Sequence, residues 1–285
     1  MVVEKKSKGY AVFMSFDYLI MGAFALSIIL PMLYILQLSF SDFATLEFRL
    51  IPKKFTLNNY KFIIENATII RPFINSVVIT IAGTLLSVFF TVMMAYPLSR
   101  KDLVFRKFFN YFVLFTMMFS IGFIPEYLVI MSLHLVGSYS AIFLTHLIGT
   151  FELILLRNFI SSIPDEIIES SRIDGCSEMR ILFKIVFPLA IPGIATITLF
   201  YIVNYWNMYF PVVLYINDSK KYTLQVILRE LVIEEEDMII GTAQQGTPVN
   251  MKYTTIIASM LPILAVYPFL QKYFTKGLLV GSLKG

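Results

Sequence analysis

The sequence predicts an all-α, polytopic membrane protein with six transmembrane helices. Of 285 residues, 58% are hydrophobic and 15% charged, and the mean hydropathy is +0.76. Soluble domains hold about 45–50% apolar and about 25% charged residues. The apolar residues gather in six long segments, roughly 18–40, 73–98, 108–132, 139–160, 191–216 and 253–273. A hydrocarbon core about 30 Å thick takes about 20 such residues per helical crossing. Basic residues, finally, flank these segments unequally.

The first segment follows Lys5, Lys6 and Lys8, as a signal peptide would. It is too long for a signal core and no small-residue cleavage site closes it, so it reads as an uncleaved span. Each later segment must be helical, because lipid leaves no partner for free backbone groups. The short alternating strands of a barrel are absent from the sequence pattern. Pro31, Pro125 and Pro211 mark expected kinks or breaks. Fourteen of the 23 Lys and Arg fall on one side, in or at the segment ends beside the tails, the 99–107 loop and the 161–190 stretch, which places both termini in the cytoplasm. The external segments are then about 41–72, 133–138 and 217–252. No internal repeat or low-complexity linker appears, so a single domain over 1–285 is expected, with its membrane core at about 70–275.

Between the fourth and fifth segments the chain reads Ser162-Ile-Pro-Asp-Glu-Ile-Ile-Glu-Ser-Ser-Arg-Ile-Asp-Gly175, then Cys176-Ser-Glu-Met-Arg-Ile-Leu-Phe-Lys-Ile-Val-Phe-Pro188. Pro164 suits the first helical position, and Asp165 and Glu166 suit the positive end of the helix dipole. Gly175 supplies a stop, giving a helix of about 11 residues, about 16 Å long. A second short helix starts at Ser177 and ends at Pro188. On this pattern alone, a solvated amphipathic connection is the favoured reading.

The order of residues adds more. Glu169-Ser-Ser, then Asp174-Gly175, then Ile185-Val-Phe-Pro188 resembles the EAA signature of ABC-importer permeases, with Ser170 and Ser171 in place of two alanines and Phe187 in place of a leucine. Leu156-Arg-Asn-Phe159, Trp206-Asn207 and the ending from Gln271 to Gly285 resemble the carbohydrate branch of that family. That branch includes the smaller permease of maltose-type systems and the lipoprotein/polysaccharide permeases. The resemblance implies a type I importer fold in a bacterial cytoplasmic membrane. It also implies a heterodimer with a second permease, two ATPase subunits holding ATP and Mg, an extracytoplasmic sugar-binding protein and an oligosaccharide cargo. Glu169, Ser170, Ser171, Asp174 and Gly175 would couple this chain to an ATPase. In such permeases the last external loop reaches the binding protein, which points to Gly241, Gln244, Gln245 and Gly246.

Catalytic chemistry is missing from the pattern. The string Gly241 to Pro248 has glycine spacing without the lysine of a phosphate loop, so no cofactor is expected in this chain. One cysteine, Cys176, and two histidines, His134 and His146, make neither a metal cluster nor a nucleophile–base pair. No concentrated basic face suits nucleic acid. Asn66-Ala-Thr68 and Asn217-Asp-Ser219 match glycosylation sequons too short to carry weight, and Gly277 to Gly281 has helix-dimer spacing beyond the last span. The acidic run Glu234-Glu-Glu-Asp237 reads as a solvated face or as a docking patch for a binding protein.

The fifth segment carries Tyr201, Asn204, Trp206, Asn207 and Tyr209. Amides are expensive in lipid and face a partner helix or a wet cavity. Asn204 and Asn207 share a helix face, and amides beside aromatic rings suit a polyhydroxylated ligand. These five residues are therefore expected on the transport route, or else in helix packing. Two other readings are a permease for a peptide or polyamine and a membrane-embedded enzyme. Trp206-Asn207 and the C-terminal sequence weigh against the first. The scatter of Asp17, Glu126 and Glu152 weighs against the second.

Overall fold

The structure, a computed structural model, describes residues 8–41, 55–119, 121–239 and 249–282. Apart from an isolated bridge between Ser41 and Phe55, the regular structure among the described residues is helical. The chain divides into two compact units, Met1–Ala67 with Leu231–Ala258, and Thr68–Glu230 with Ser259–Gly285.

In the first unit, α1 (Lys8–Ser39) is apolar around its whole circumference, and its 28-residue apolar stretch, Val12–Ser39, leaves its hydrophobic window unburied. Such a helix needs lipid as its solvent. Pro31 sits inside α1 without ending it. Its end is fixed to α2 (Asn58–Glu65): Asn59 Nδ2 donates to the carbonyls of Ser39 and Ser41 at 3.1 and 3.0 Å, and Phe40 stacks on Phe55.

The second unit is built on α3 (Ala67–Ser99), which starts six residues before the expected span. One face of α3 carries Ser76, Thr80, Gly83, Thr84, Ser87, Thr91 and Ala95, all buried. Small residues at this spacing let a neighbouring helix approach closely. The third expected span is two helices, α4 (Arg106–Met118) and α5 (Phe123–Ser132), and Pro125 lies in the first turn of α5 rather than inside one long helix. The fourth is α6 (Tyr139–Thr145) and α7 (Thr150–Ile160), bent by 51°.

After α7 come α8 (Asp165–Ile173) and α9 (Glu178–Ile181), followed by a π-helical turn at Leu182–Val186 and α10 (Phe187–Leu189). Pro188 has no N–H to return to residue 184, so a shifted ladder in front of it is the expected accommodation. The segment bends by 82° at Ala190 into α11 (Ile191–Trp206). The fifth expected span then breaks at residues 207–209 and resumes as α12 (Phe210–Tyr215), with Pro211 in its first turn. The break thus lies within the Asn204–Tyr209 cluster rather than outward of it. α13 (Leu224–Ile239) and α14 (Val249–Ser282) complete the described chain, and α14 extends beyond both ends of the sixth expected segment.

The bend between α6 and α7 frees backbone groups, and α11 takes them up. Tyr201 Oη accepts the Gly149 N–H at 2.9 Å and shares a hydrogen bond with Thr91 Oγ1 at 2.7 Å. Tyr205 Oη and Ser87 Oγ both reach the His146 carbonyl at 3.2 Å. Both tyrosines are almost fully buried. Leaving a buried donor without a partner costs about 1–3 kcal/mol. Tyr201→Phe is therefore expected to lower the thermal midpoint of the detergent-solubilised protein clearly, whereas the same change at exposed Tyr111 leaves it in place. Equal midpoints for the two variants would contradict this assignment.

Candidate functional site: the helical knob and the seam between α7 and α11

The knob begins where the sequence indicates, with a small adjustment. Pro164 is the extended residue before α8, at ψ 132°, and α8 has nine residues instead of about 11. Asp165 and Glu166 fill the first turn and Arg172 the last, each sign favourable to the helix dipole. Its end is a complete Schellman motif: the Gly175 N–H bonds the Arg172 carbonyl and the Cys176 N–H bonds the Ser171 carbonyl, each at 3.0 Å. Gly175 has φ +79°, and open space surrounds the position of a Cβ there. The demand for glycine is thus set by the backbone rather than by crowding.

The two serines fit a helix because each hydroxyl bonds back to the Ile167 carbonyl, Ser170 at 3.1 Å and Ser171 at 2.7 Å. Ser171 is buried beside Ile168, while Glu169, Ser170 and Asp174 are exposed. Ile168, Ile181, Leu182 and Val186 anchor the knob in the same apolar core as Leu156 and Ile160 of α7. Its outer face keeps Ile173 at 87% exposure and Met179 at 57%. Apolar side chains this exposed beside acidic ones suit a protein partner.

Sequence reasoning missed how the knob is held at both ends by charge. Arg100, buried at the end of α3, and Lys101 reach Asp165 at 3.1 and 2.8 Å. Arg172 binds Asp102 at 2.8 Å and Glu178 at 2.7 Å, and Tyr96 donates to the second Glu178 oxygen at 2.6 Å. The Tyr96 hydroxyl, with Arg172, holds the Glu178 carboxyl below its ordinary range against the effect of partial burial. At Asp102 burial pushes upward, but the hydrogen bond and charge of Arg172 prevail and its value is lowered. Lys101, then Arg100, lower Asp165. Arg172 is raised in turn by its bonds to Glu178 and Asp102. Depressed carboxyls contribute stability above their unfolded values and lose it only as pH falls through the folded ones, so this clamp is intact at neutral pH. Beneath it lies a cavity of about 430 Å³ walled by Met93, Pro97, Leu103, Val104 and Leu182.

The residues expected on the transport route separate into two sets. Tyr201 is the backbone prop described above, and Trp206 is buried, donating Nε1–H to the Ser259 carbonyl at 3.0 Å with Phe73 edge-on to its ring. Asn204 and Asn207 are exposed. Asn204 Nδ2 donates to Glu152 at 3.4 Å, whereas Asn207 Nδ2 bonds back to the Val203 carbonyl at 3.0 Å. Tyr209 is half-buried, with the Arg229 guanidinium 4.9 Å from its ring centre. Gly241, Gln244, Gln245 and Gly246 lie outside the described residues. No cluster of His, Cys, Asp and Glu able to hold a metal occurs among the described residues.

Residues 87–280 match the family model described as "Binding-protein-dependent transport system inner membrane component". The chain is 43% identical over 281 residues to the polygalacturonan/rhamnogalacturonan transport system permease protein YtcP of Bacillus subtilis, covering 95% of this chain and 98% of that one. It is 30% identical over 241 residues to the arabinooligosaccharides transport system permease protein AraQ of Halalkalibacterium halodurans, at 82% and 81% coverage. It is also similar to a chain in the crystal structure of a bacterial ABC transporter involved in the import of the acidic polysaccharide alginate, with a TM-score of 0.85, 30% identity and 94% and 98% coverage. The helical architecture, the glycine-stopped knob and these similarities together establish that the chain belongs to the inner-membrane permease components of binding-protein-dependent ABC transport systems.

Proposed function

We propose that this chain is one of two permease subunits of an ABC importer that carries an oligosaccharide across a bacterial cytoplasmic membrane. It crosses the membrane six times, through α1, α3, the pairs α4–α5, α6–α7 and α11–α12, and α14, with both termini in the cytoplasm and the whole chain serving as one permease domain. A second permease completes the pathway. Two ATPase subunits hold ATP and Mg, and an extracytoplasmic binding protein delivers the sugar to the last external loop, where Gly241, Gln244, Gln245 and Gly246 meet it. The carbohydrate cargo rests on the names of the relatives, which divide between neutral arabinooligosaccharides and acidic polysaccharides.

The observation that carries this reading is the knob: a nine-residue helix closed by Gly175 at φ +79°, with exposed Glu169 and Ile173 outside and a continuous apolar anchor inside. Docked on an ATPase, α8 moves when the ATPases close. Asp165 and Arg172 pass that movement to the end of α3, and Ile168 and Leu182 pass it to α7, so the bundle turns as a body. Solvent screens these exposed ion pairs, so they add little stability. Their importance is geometric, because two attachment points prevent the helix from swivelling.

Purification with the neighbouring subunits tests the reading through ATPase stimulation by a sugar-loaded binding protein. Gly175→Leu and Glu169→Lys are expected to abolish stimulation and sugar uptake while the complex still assembles; normal uptake by both would refute the coupling role. Arg172→Gln is expected to reduce stimulation several-fold, and Arg172→Lys to rescue little of it, since a single ammonium does not reproduce the forked contact with Asp102 and Glu178. Full activity of Arg172→Gln would show that the clamp is irrelevant to coupling. Equilibrium dialysis of the isolated chain with ATP is expected to show no binding, and stoichiometric binding would place the nucleotide site in the wrong subunit.

A further inference from the structure

The clamp on the knob uses up its acids: Asp102, Asp165 and Glu178 are taken by Arg100, Lys101 and Arg172. A second group of cations has none. Arg106 opens α4, Lys107 follows it, and Arg157 is in the last turn of α7, yet none of the three makes an ion pair among the described residues. Asn110 ties the two helices together: its Nδ2 donates to the Arg106 carbonyl at 2.9 Å, and its Oδ1 accepts from Arg157 Nη1. Arg157 also donates from Nε and Nη2 to Asn158 Oδ1 at 3.2 and 2.7 Å. Its partners are thus neutral amides. Arg106 Nε is buried without a hydrogen-bond partner, and the two guanidinium charges lie close enough to repel each other.

Like charges held side by side by neutral groups are costly unless an anion covers them. The rest of α4 says what kind of anion. Phe105, Phe108, Tyr111, Phe112 and Phe115 are each more than half exposed, and Phe108 stacks on Phe112 with centroids 6.2 Å apart. An apolar flank of this extent marks contact with a membrane or with another protein. Cations at one end of such a flank match an anionic head followed by hydrocarbon tails. An acidic protein surface would match the cations and leave the rings unexplained. We propose that Arg106, Lys107 and Arg157 bind the phosphate of an anionic phospholipid whose acyl chains lie along the exposed rings of α4. A guanidinium offers its planar fork to two phosphate oxygens, and Lys107 adds a point charge. The headgroup then pins the start of α4 to the end of α7, just ahead of the knob. This rests on reading α4 and α7 as parts of membrane spans and goes further by giving a lipid a fixed place in the complex.

The test uses the assembled importer in a neutral detergent, incubated with phosphatidylglycerol or with phosphatidylcholine of the same acyl chains. Retained lipid is counted by native mass spectrometry. The wild type is expected to retain phosphatidylglycerol at least about fivefold over phosphatidylcholine. Arg157 also holds Asn110 and Asn158, so the deciding variant is Arg106→Gln with Lys107→Gln, whose side chains have no partner to lose among the described residues. That variant is expected to retain the two lipids equally. Equal retention by the wild type would overturn the lipid site, and an unchanged preference in the variant would overturn its assignment to these residues. Displacement of phosphatidylglycerol by inorganic phosphate would show a site for the free ion instead. Loss of the ATPase subunits from the variant, with no lipid preference in the wild type, would give the cluster to an acidic protein face. Selective retention by a complex that imports no sugar would overturn the importer reading alone and leave the lipid site standing.

Discussion

Between His146 and Gly149 the chain leaves its helix, and the freed amide and carbonyl groups need other partners. Two tyrosines from α11 do so, with Ser87 and Thr91 of α3 completing the contacts. Much of the second unit follows from that repair. Tyr201 and Tyr205 must lie against the break, which fixes the rotation of α11 about its own axis. With those residues inward, Asn204 and Asn207 are turned outward, and Glu152 is held where Asn204 reaches it. The small-residue face of α3 lets the tyrosines come close enough to do this. A backbone constraint thereby determines which side chains are left to meet a ligand.

The same helices carry the knob. α7 leads into α8, and the π-turn and α10 lead through the bend at Ala190 into α11, so the knob joins the two helices of the seam. Ile168, Ile181 and Leu182 make this connection apolar and close-packed, and close-packed contacts transmit displacement because they compress little. The ion pairs add a third attachment, to the end of α3. A movement imposed at Glu169 thus reaches the seam by a short path of packed side chains. In the proposed importer, that path links nucleotide state to access.

How far the sequence reveals all this depends on whether a feature is local. The start and stop of α8 are legible because Asp165, Glu166 and Gly175 each respond to constraints within one turn of chain. The length and apolarity of the spans are legible for the same reason, but their bends are not. Pro125 and Pro211 lie just after breaks instead of in the middle of a kinked helix, since proline is most easily accommodated in a first turn. Trp206 and Tyr201 look like path-lining aromatics from composition, yet their polar atoms are used inside the bundle by Ser259, Thr91 and Gly149. The Arg172–Asp102 pair is 70 residues apart in sequence, and nothing in either local pattern announces it. Glu152 looks like an isolated acid near a span boundary until the fold sets it against Asn204.

In the proposed importer the α7–α11 seam faces a water-filled route whose exposure changes with nucleotide state. Thiol accessibility at the seam is the decisive measurement. Asn204→Cys and Asn207→Cys, each in a Cys176→Ser background, would be assembled with the partner subunits and treated with a membrane-impermeant thiol reagent. Both cysteines are expected to react, and their rates to shift when ATP is trapped on the ATPases. Protection of both positions in every nucleotide state would contradict this, and would mean that these amides serve only to hold helices together.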